Sequence, residues 1–318
     1  MKSRRSHSLH AAAGVMAFGR THATSYIISA AALLMLSPGH QAVGAPPPKA
    51  IPVPQTAQGS DPGPDTAKPE PGPVSSIPLP KRRIEVQYSF DTNGFKSGGK
   101  LNSLIGKVMV SSMEHTKLIY KLNTTELHVS FRDLREGDDG IKFSSHSLME
   151  PSGSVLKETQ NSGRETEVME ATVENISFLG RSKAVRWFDA EDLERRGGPK
   201  GGSAEASRES LIDPDEIITT LLQIPVWAST IRGDLGQQPL PFRMCVKGDP
   251  LQMRLTEGPA ASKDEVVYLC ERAGSNSDGG EALFTLTYSR QEMTKGFAMP
   301  AKMQIHVGTM VMNVRRDG

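Results

Sequence analysis

From Ile84 onward the chain alternates between apolar and polar positions. Ile84, Val86, Tyr88 and Phe90 are separated by Glu85, Gln87 and Ser89, the period of two that a strand shows when one face is buried and the other meets water. Asn93-Gly94 then supplies a turn signal. Further strands are predicted at short spacing over 104–113, 116–122, 126–131, 141–149, 166–173 and 183–189. Between the third and fourth of these strands, Gly137, Asp138, Asp139 and Gly140 read as a hairpin loop, since Gly and Asp tolerate the positive φ that such turns require.

The stretch 190–211 is charged and glycine-rich, through Glu194, Arg195, Arg196, Gly197, Gly198, Gly201 and Gly202, and reads as a long flexible loop. A helix is predicted over about 213–224: Asp213 is placed to cap, Pro214 suits the first helical position, and Glu216 sits where a capping carboxylate reaches back. Ile217, Ile218, Leu221 and Leu222 would form its apolar stripe. Five closing strands follow over 241–247, 251–256, 265–271, 282–288 and 302–314, with Lys247-Gly248-Asp249-Pro250 as a hairpin turn. In the last, Met303, Ile305 and Val307 occupy one face and Met310, Met312 and Val314 the other, which reads as a β-bulge at Gly308.

Strands without alternating helices exclude a parallel sheet. The fold expected is mainly β and antiparallel, a curved meander or partly open barrel-like sheet with one packed helix at about 213–224.

The order of these features resembles the exported bacterial family known as domain of unknown function 3108. The likeness runs over about residues 83–316. It is carried by the first strand with its Asn93-Gly94 turn, the Asp213-Pro214 helix start with its aliphatic stripe, the hairpin around Lys247-Gly248-Asp249, the strand ending at Leu269-Cys270, and a closing strand after Pro300 with Ile305 to Gly308. The chain departs from the family pattern at Cys245-Val246-Lys247-Gly248, where an Asp-Gly turn is typical, and in the long insertion after Asp189. The resemblance implies a periplasmic, mainly antiparallel β domain with a curved sheet and a helix, in shape similar to periplasmic lipoprotein and lipid carriers. It implies no catalytic residues.

The N-terminal quarter has a different character. Residues 1–44 read as a secretory signal peptide, with basic residues up to Arg20, an apolar run from Tyr26 to Leu36, and small residues at Ala42-Val43-Gly44-Ala45. Cleavage after Gly44 is preferred to cleavage after Ala45, which would leave Pro46 just beyond the cut; Met16 is an alternative start. Residues 45–80 form a disordered linker, with 12 Pro in positions 46–80, a composition that favours extended polyproline conformations. One β-rich domain, 81–318, remains.

That division changes the meaning of the charge. The 318 residues carry 37 Lys+Arg against 36 Asp+Glu. Without Lys2, Arg4, Arg5 and Arg20 the remainder has 33 basic and 36 acidic groups, a formal −3. A mildly acidic body with 5% aromatic residues lacks the clustered positive charge that nucleic acids demand. No apolar run reaches 18 residues, so no transmembrane helix is expected after signal cleavage.

Candidate chemistry is sparse. Cys245 and Cys270 form a possible disulfide, because an exported chain meets an oxidising compartment. An uninterrupted meander would nevertheless set them two strand spacings apart, about 9.5 Å, beyond the roughly 7 Å that a bridge tolerates. Both outcomes stay open. The segment 274–285 places Asn276, Asp278 and Gly279 as in a calcium loop, but Gly274 and Thr285 stand where acidic ligands are needed, and a hairpin loop is the better reading. Of His115, His128, His146 and His306, none has a metal-ligand spacing. They read as surface or edge-strand histidines; His128 and His146 could approach across the hairpin through Gly137, but a metal there would need at least one further ligand, and the sequence nominates none. Trp187 and Trp227 are expected in the core. No nucleophile turn, phosphate loop or dinucleotide fingerprint occurs, so no catalytic, cofactor or metal residues are assigned.

These readings converge on an exported, periplasmic or secreted, non-catalytic binding or carrier module for an apolar or envelope ligand. Its partners would be a lipid or an envelope protein. Methionines at apolar positions (Met109, Met253, Met303, Met310, Met312) suit an adaptable binding surface. The alternative is a structural or protein-interaction component of the envelope, and the third reading a hydrolase whose site is assembled from distant residues.

Overall fold

A computed structural model describes residues 75–91, 113–135, 140–162, 165–176, 180–200, 205–232, 235, 239–273, 282–307 and 310–318. The expected signal segment, most of the expected linker, the Asn93-Gly94 turn, nearly all of the strand expected at 104–113 and most of the calcium-like loop lie outside the described residues.

Strands β1 (Ser75–Ser76), β2 (Ile84–Asp91), β3 (Thr116–Leu122), β4 (Glu126–Asp133), β5 (Ile141–Met149), β6 (Val155–Asn161), β7 (Thr166–Ile176) and β8 (Gly180–Phe188) come first. Helix α1 (Ala190–Arg196), β9 (Arg208–Ile212), β10 (Ile218–Thr219), α2 (Ile224–Ala228) and β11 (Ile231–Arg232) follow. The chain closes with β12 (Leu240–Val246), β13 (Asp249–Gly258), β14 (Glu265–Arg272), β15 (Ala282–Ser289), α3 (Arg290–Lys295), β16 (Lys302–Val307) and β17 (Met310–Arg316).

The expected antiparallel meander is present. One sheet runs β10-β12-β13-β14-β15-β16-β17-β2-β3-β4-β5-β6-β7-β8-β9. Its last strand in sequence, β17, pairs with β2, joining Val314 to Phe90. Antiparallel pairing thus continues from the closing strands into the opening ones. Among the described residues, only β10 is parallel to its neighbour, β12.

Inside the curve lies one large apolar cluster drawing on both halves of the sheet, from Tyr88, Leu118, Tyr120 and Leu127 to Met253, Leu286 and Val314. Helix α2 plugs it. All five of its residues, Ile224 to Ala228, are buried, and Trp227 packs on Phe242 with ring centroids 4.4 Å apart. The carbonyls at its end are satisfied locally: Ser229 Oγ donates to Pro225 O at 2.6 Å and Thr230 Oγ1 to Trp227 O at 2.7 Å, as buried helix ends require.

The packed helix therefore sits at 224–228, not at 213–224. Asp213 Oδ1 accepts from the Asp215 amide at 2.9 Å, closing a local turn instead of capping a helix. The four residues after Glu216, namely Ile217, Ile218, Thr219 and Thr220, are all β-branched. Such side chains favour extended backbone, and Ile218 and Thr219 take it beside Arg243 and Met244 of β12.

Three further expectations change. The folded part begins by Ser75: β1 pairs with β11, and Leu79 is 1% exposed within the core. The stretch 190–211 contains α1, capped by Asp189 and closed by Gly197 at φ 81°, and then strand β9, where a loop was expected. The segment 302–314 is a hairpin of β16 and β17 instead of one bulged strand. A chain reversal exchanges the apolar faces as a one-residue slip would.

Candidate functional site

The two ends of the sheet meet at a seam. There the turn between β12 and β13 has Lys247 at φ 48° and Gly248 at φ 83°, two successive left-handed residues as a two-residue hairpin turn demands. This turn lies against β8 and β9. Ser210 Oγ donates to Gly248 O at 3.3 Å, Arg208 pairs with Asp249, and Lys247 reaches Glu167 of β7 at 3.7 Å. Deeper in the seam, the Ile218 amide donates to Ser154 Oγ at 3.1 Å, and Lys183 Nζ donates to Glu216 O at 2.8 Å. Side chains thus stitch the seam, so closure is partial.

A cavity of about 120 Å³ opens there, with Glu158, Glu167, Val168, Trp187, Leu221 and Lys247 in its wall. Glu158 lies on β6 and is 1% exposed. Ser145 Oγ donates to its Oε1, while its Oε2 has no hydrogen-bond partner. Thr220 Oγ1, Ser147 Oγ and Gln223 Nε2 are also buried without a partner. Gln223 spends its Oε1 on the Thr220 amide at 3.1 Å. Burial raises the Glu158 pKa from 4.5, against the opposing effect of Ser145, Gln160 and Thr220. Burial also raises the Glu167 carboxyl, opposed by Lys247 and Trp187. The ammonium of Lys247 stands 6.0 Å from the centre of the half-buried Trp187 ring. The seam pocket is therefore acidic at its polar end and aromatic and aliphatic elsewhere.

Cys245 also borders this cavity. Burial pushes its thiol up to about 12, so it stays protonated and is a poor nucleophile at neutral pH. Cys270 is fully buried in the main core, its pKa likewise raised by burial. Both cysteines are free thiols. In register, Cys245 stands opposite Pro250 and Cys270 opposite Leu255. They are two strand spacings apart across β13 and about 16 Å apart along it, at about 3.3 Å per residue. The possible disulfide is not formed.

Of the tryptophans, Trp227 is in the core as expected, while Trp187 lines the pocket wall. Nothing in the sequence marked Glu158 as a pocket residue; a charged group on a short polar strand reads as solvent-facing. His115 and His306 stay apart from the pocket, with His306 Nε2 3.4 Å from Thr285 Oγ1. His128 and His146 do come together, opposite each other in the β4–β5 ladder with rings stacked at 4.1 Å. Burial and the neighbouring His146 lower the His128 pKa, against the opposing effect of Glu126.

No helix among the described residues is long and apolar enough to cross a membrane. No family model matches the chain, and no curated protein matches it. Among solved structures, the chain is similar to the crystal structure of a β-barrel-like protein of domain of unknown function DUF1849 from Brucella abortus, with a TM-score of 0.36 and 8% identity over 77% of this chain and 98% of that one.

Proposed function

We propose that the protein is an exported, non-catalytic binding module that takes a small amphipathic cation at the seam pocket. The observation that carries this reading is the Oε2 of the buried Glu158, left without a hydrogen-bond partner in the wall of the cavity. A buried polar atom left without a partner costs about 1–3 kcal/mol, and a ligand N–H donor would recover that cost. Three carboxylates, Glu158, Glu165 and Glu167, against one ammonium, Lys247, favour positive charge. The face of Trp187 suits a cation or a flat apolar group.

A filled interior directs the ligand to this pocket. Trp227, Tyr88, Tyr120, Tyr268 and Tyr288 occupy the core, and the apolar cavity among Phe90, Leu118 and Met303 measures about 30 Å³. Such a volume accommodates a few water molecules, not an acyl chain. An apolar or envelope ligand would accordingly present an amine or guanidinium head group to the seam. Export through residues 1–44 and kinship with the domain of unknown function 3108 family belong to the same proposal, supported by the signal pattern and the quoted motifs.

The test is a fluorescence titration of the full chain with a panel of primary amines and guanidinium compounds carrying short apolar tails, joined to native mass spectrometry of protein isolated from its own envelope. We expect at least one compound to shift Trp187 emission, with the response lost in Trp187→Phe and weakened tenfold or more in Glu158→Gln. Ligand-free native protein together with a flat response across the panel would overturn the reading.

A further inference from the structure

We propose that Glu126, His128 and His146 form a binding site for one divalent transition-metal ion, zinc in class, on the outer face of the sheet away from the seam pocket. His128 and His146 are directly opposed in the β4–β5 ladder, and their rings stack at 4.1 Å with an interplanar angle of 6°. Glu126 precedes His128 by two residues on β4, so both point to the same face of the strand. One donor atom from each of the three residues lies within 4.8 Å of the others. Zinc with bonds of about 2.0–2.2 Å needs donors about 3.5 Å apart in a tetrahedron, so modest rotation of the side chains closes the set.

The carboxylate is already oriented. Asn123 Nδ2 donates to Glu126 Oε2 at 3.2 Å, while Asn123 Oδ1 receives the Glu126 amide at 2.8 Å and the Thr125 amide at 3.0 Å. That turn holds one carboxylate oxygen and leaves Oε1 for the ion, as outer hydrogen bonds do in metal sites. Two imidazoles and one carboxylate select zinc or a neighbouring transition ion over calcium or magnesium, which prefer all-oxygen shells. Three protein donors leave a fourth position open. Two cations compete nearby, Arg83 and Lys121; Lys121, opposite His128 on β3, is engaged by Glu85 at 3.3 Å.

The experiment is a zinc titration of the full chain against a chromophoric chelator. We expect one ion per chain held by this site, weakened about tenfold or more by His128→Ala, by His146→Ala and by Glu126→Gln, and unchanged by His115→Ala. Asn123→Ala should weaken binding about tenfold. Should a histidine variant melt, protection reports instead: zinc is expected to shield His128 and His146 of the wild-type chain from diethylpyrocarbonate, read by peptide mapping. Absence of zinc binding, affinity undiminished in the histidine variants, or unshielded modification at both histidines would each overturn the site.

Discussion

Gly248 and Trp187 meet at the seam so closely that a Cβ added to the glycine would lie 2.9 Å from the Trp187 Cβ and equally close to the Arg208 Cβ. These are atoms at the base of their side chains and cannot swing away. Gly248 is also held at φ 83°. Gly180 has a similar φ of 74° but open space around it. Left-handed backbone costs an ordinary residue about 1–2 kcal/mol, and overpacking adds about 1–3 kcal/mol. We therefore expect Gly248→Ala to destabilise the domain by at least about 1 kcal/mol more than Gly180→Ala, measured by urea unfolding. Equal losses would show that the seam yields.

Glu158 makes a prediction with a definite sign. Burial raises its folded pKa above 4.5, so the folded chain keeps a proton that the unfolded chain releases. The stability from this group is complete below about pH 4.5 and declines as pH rises through the folded value. Glu158→Gln removes the cost of ionising a buried group. The variant should be more stable than wild type at pH 8, by about 1 kcal/mol or more, and indistinguishable at pH 4. Thermal melts at the two values check this, and a variant less stable at pH 8 would contradict it.

The thiols should report the register of β12 to β14. Cys245 and Cys270 are free and buried. Without reductant, an alkylating reagent is expected to leave both unmodified in buffer and to label both once denaturant is present. Intact mass gives the count. A denatured, unreduced chain that takes no label would mean a disulfide and a different strand register.

Trp227 should dominate the stability of the interior. It is 1% exposed, packed at a tilt against Phe242 and backed by Gly153, whose added Cβ would come within 3.3 Å of Trp227 Cδ1. Trp227→Ala is expected to cost about 3–5 kcal/mol. The same truncation at Trp187, on the pocket wall, should cost less than half of that. Chemical denaturation of the two variants distinguishes them.

Much of the sheet was legible because strand periodicity is a local property. The bounds expected for β3 and β5 coincide with those observed, Thr116–Leu122 and Ile141–Met149. Strand β6 was missed because Val155-Leu156-Lys157-Glu158 breaks alternation, placing a carboxylate at a buried position. Glu126 was missed for a related reason. The histidines were judged by helical metal spacings, whereas on a strand the informative spacing is two residues, from Glu126 to His128.

An antiparallel β meander, and a hairpin across which His128 and His146 could approach, were legible in the amino-acid order, since alternation and a short hairpin link act between near neighbours. The place of the helix, the separation of the cysteines and the position of Glu158 in a pocket wall all follow from long-range packing. The carboxylate of Glu167 and the ammonium of Lys247 are 80 positions apart in the chain, and they meet because fourteen successive pairings curl the sheet until its ends touch. No local pattern encodes a contact produced by the summed curvature of a whole sheet.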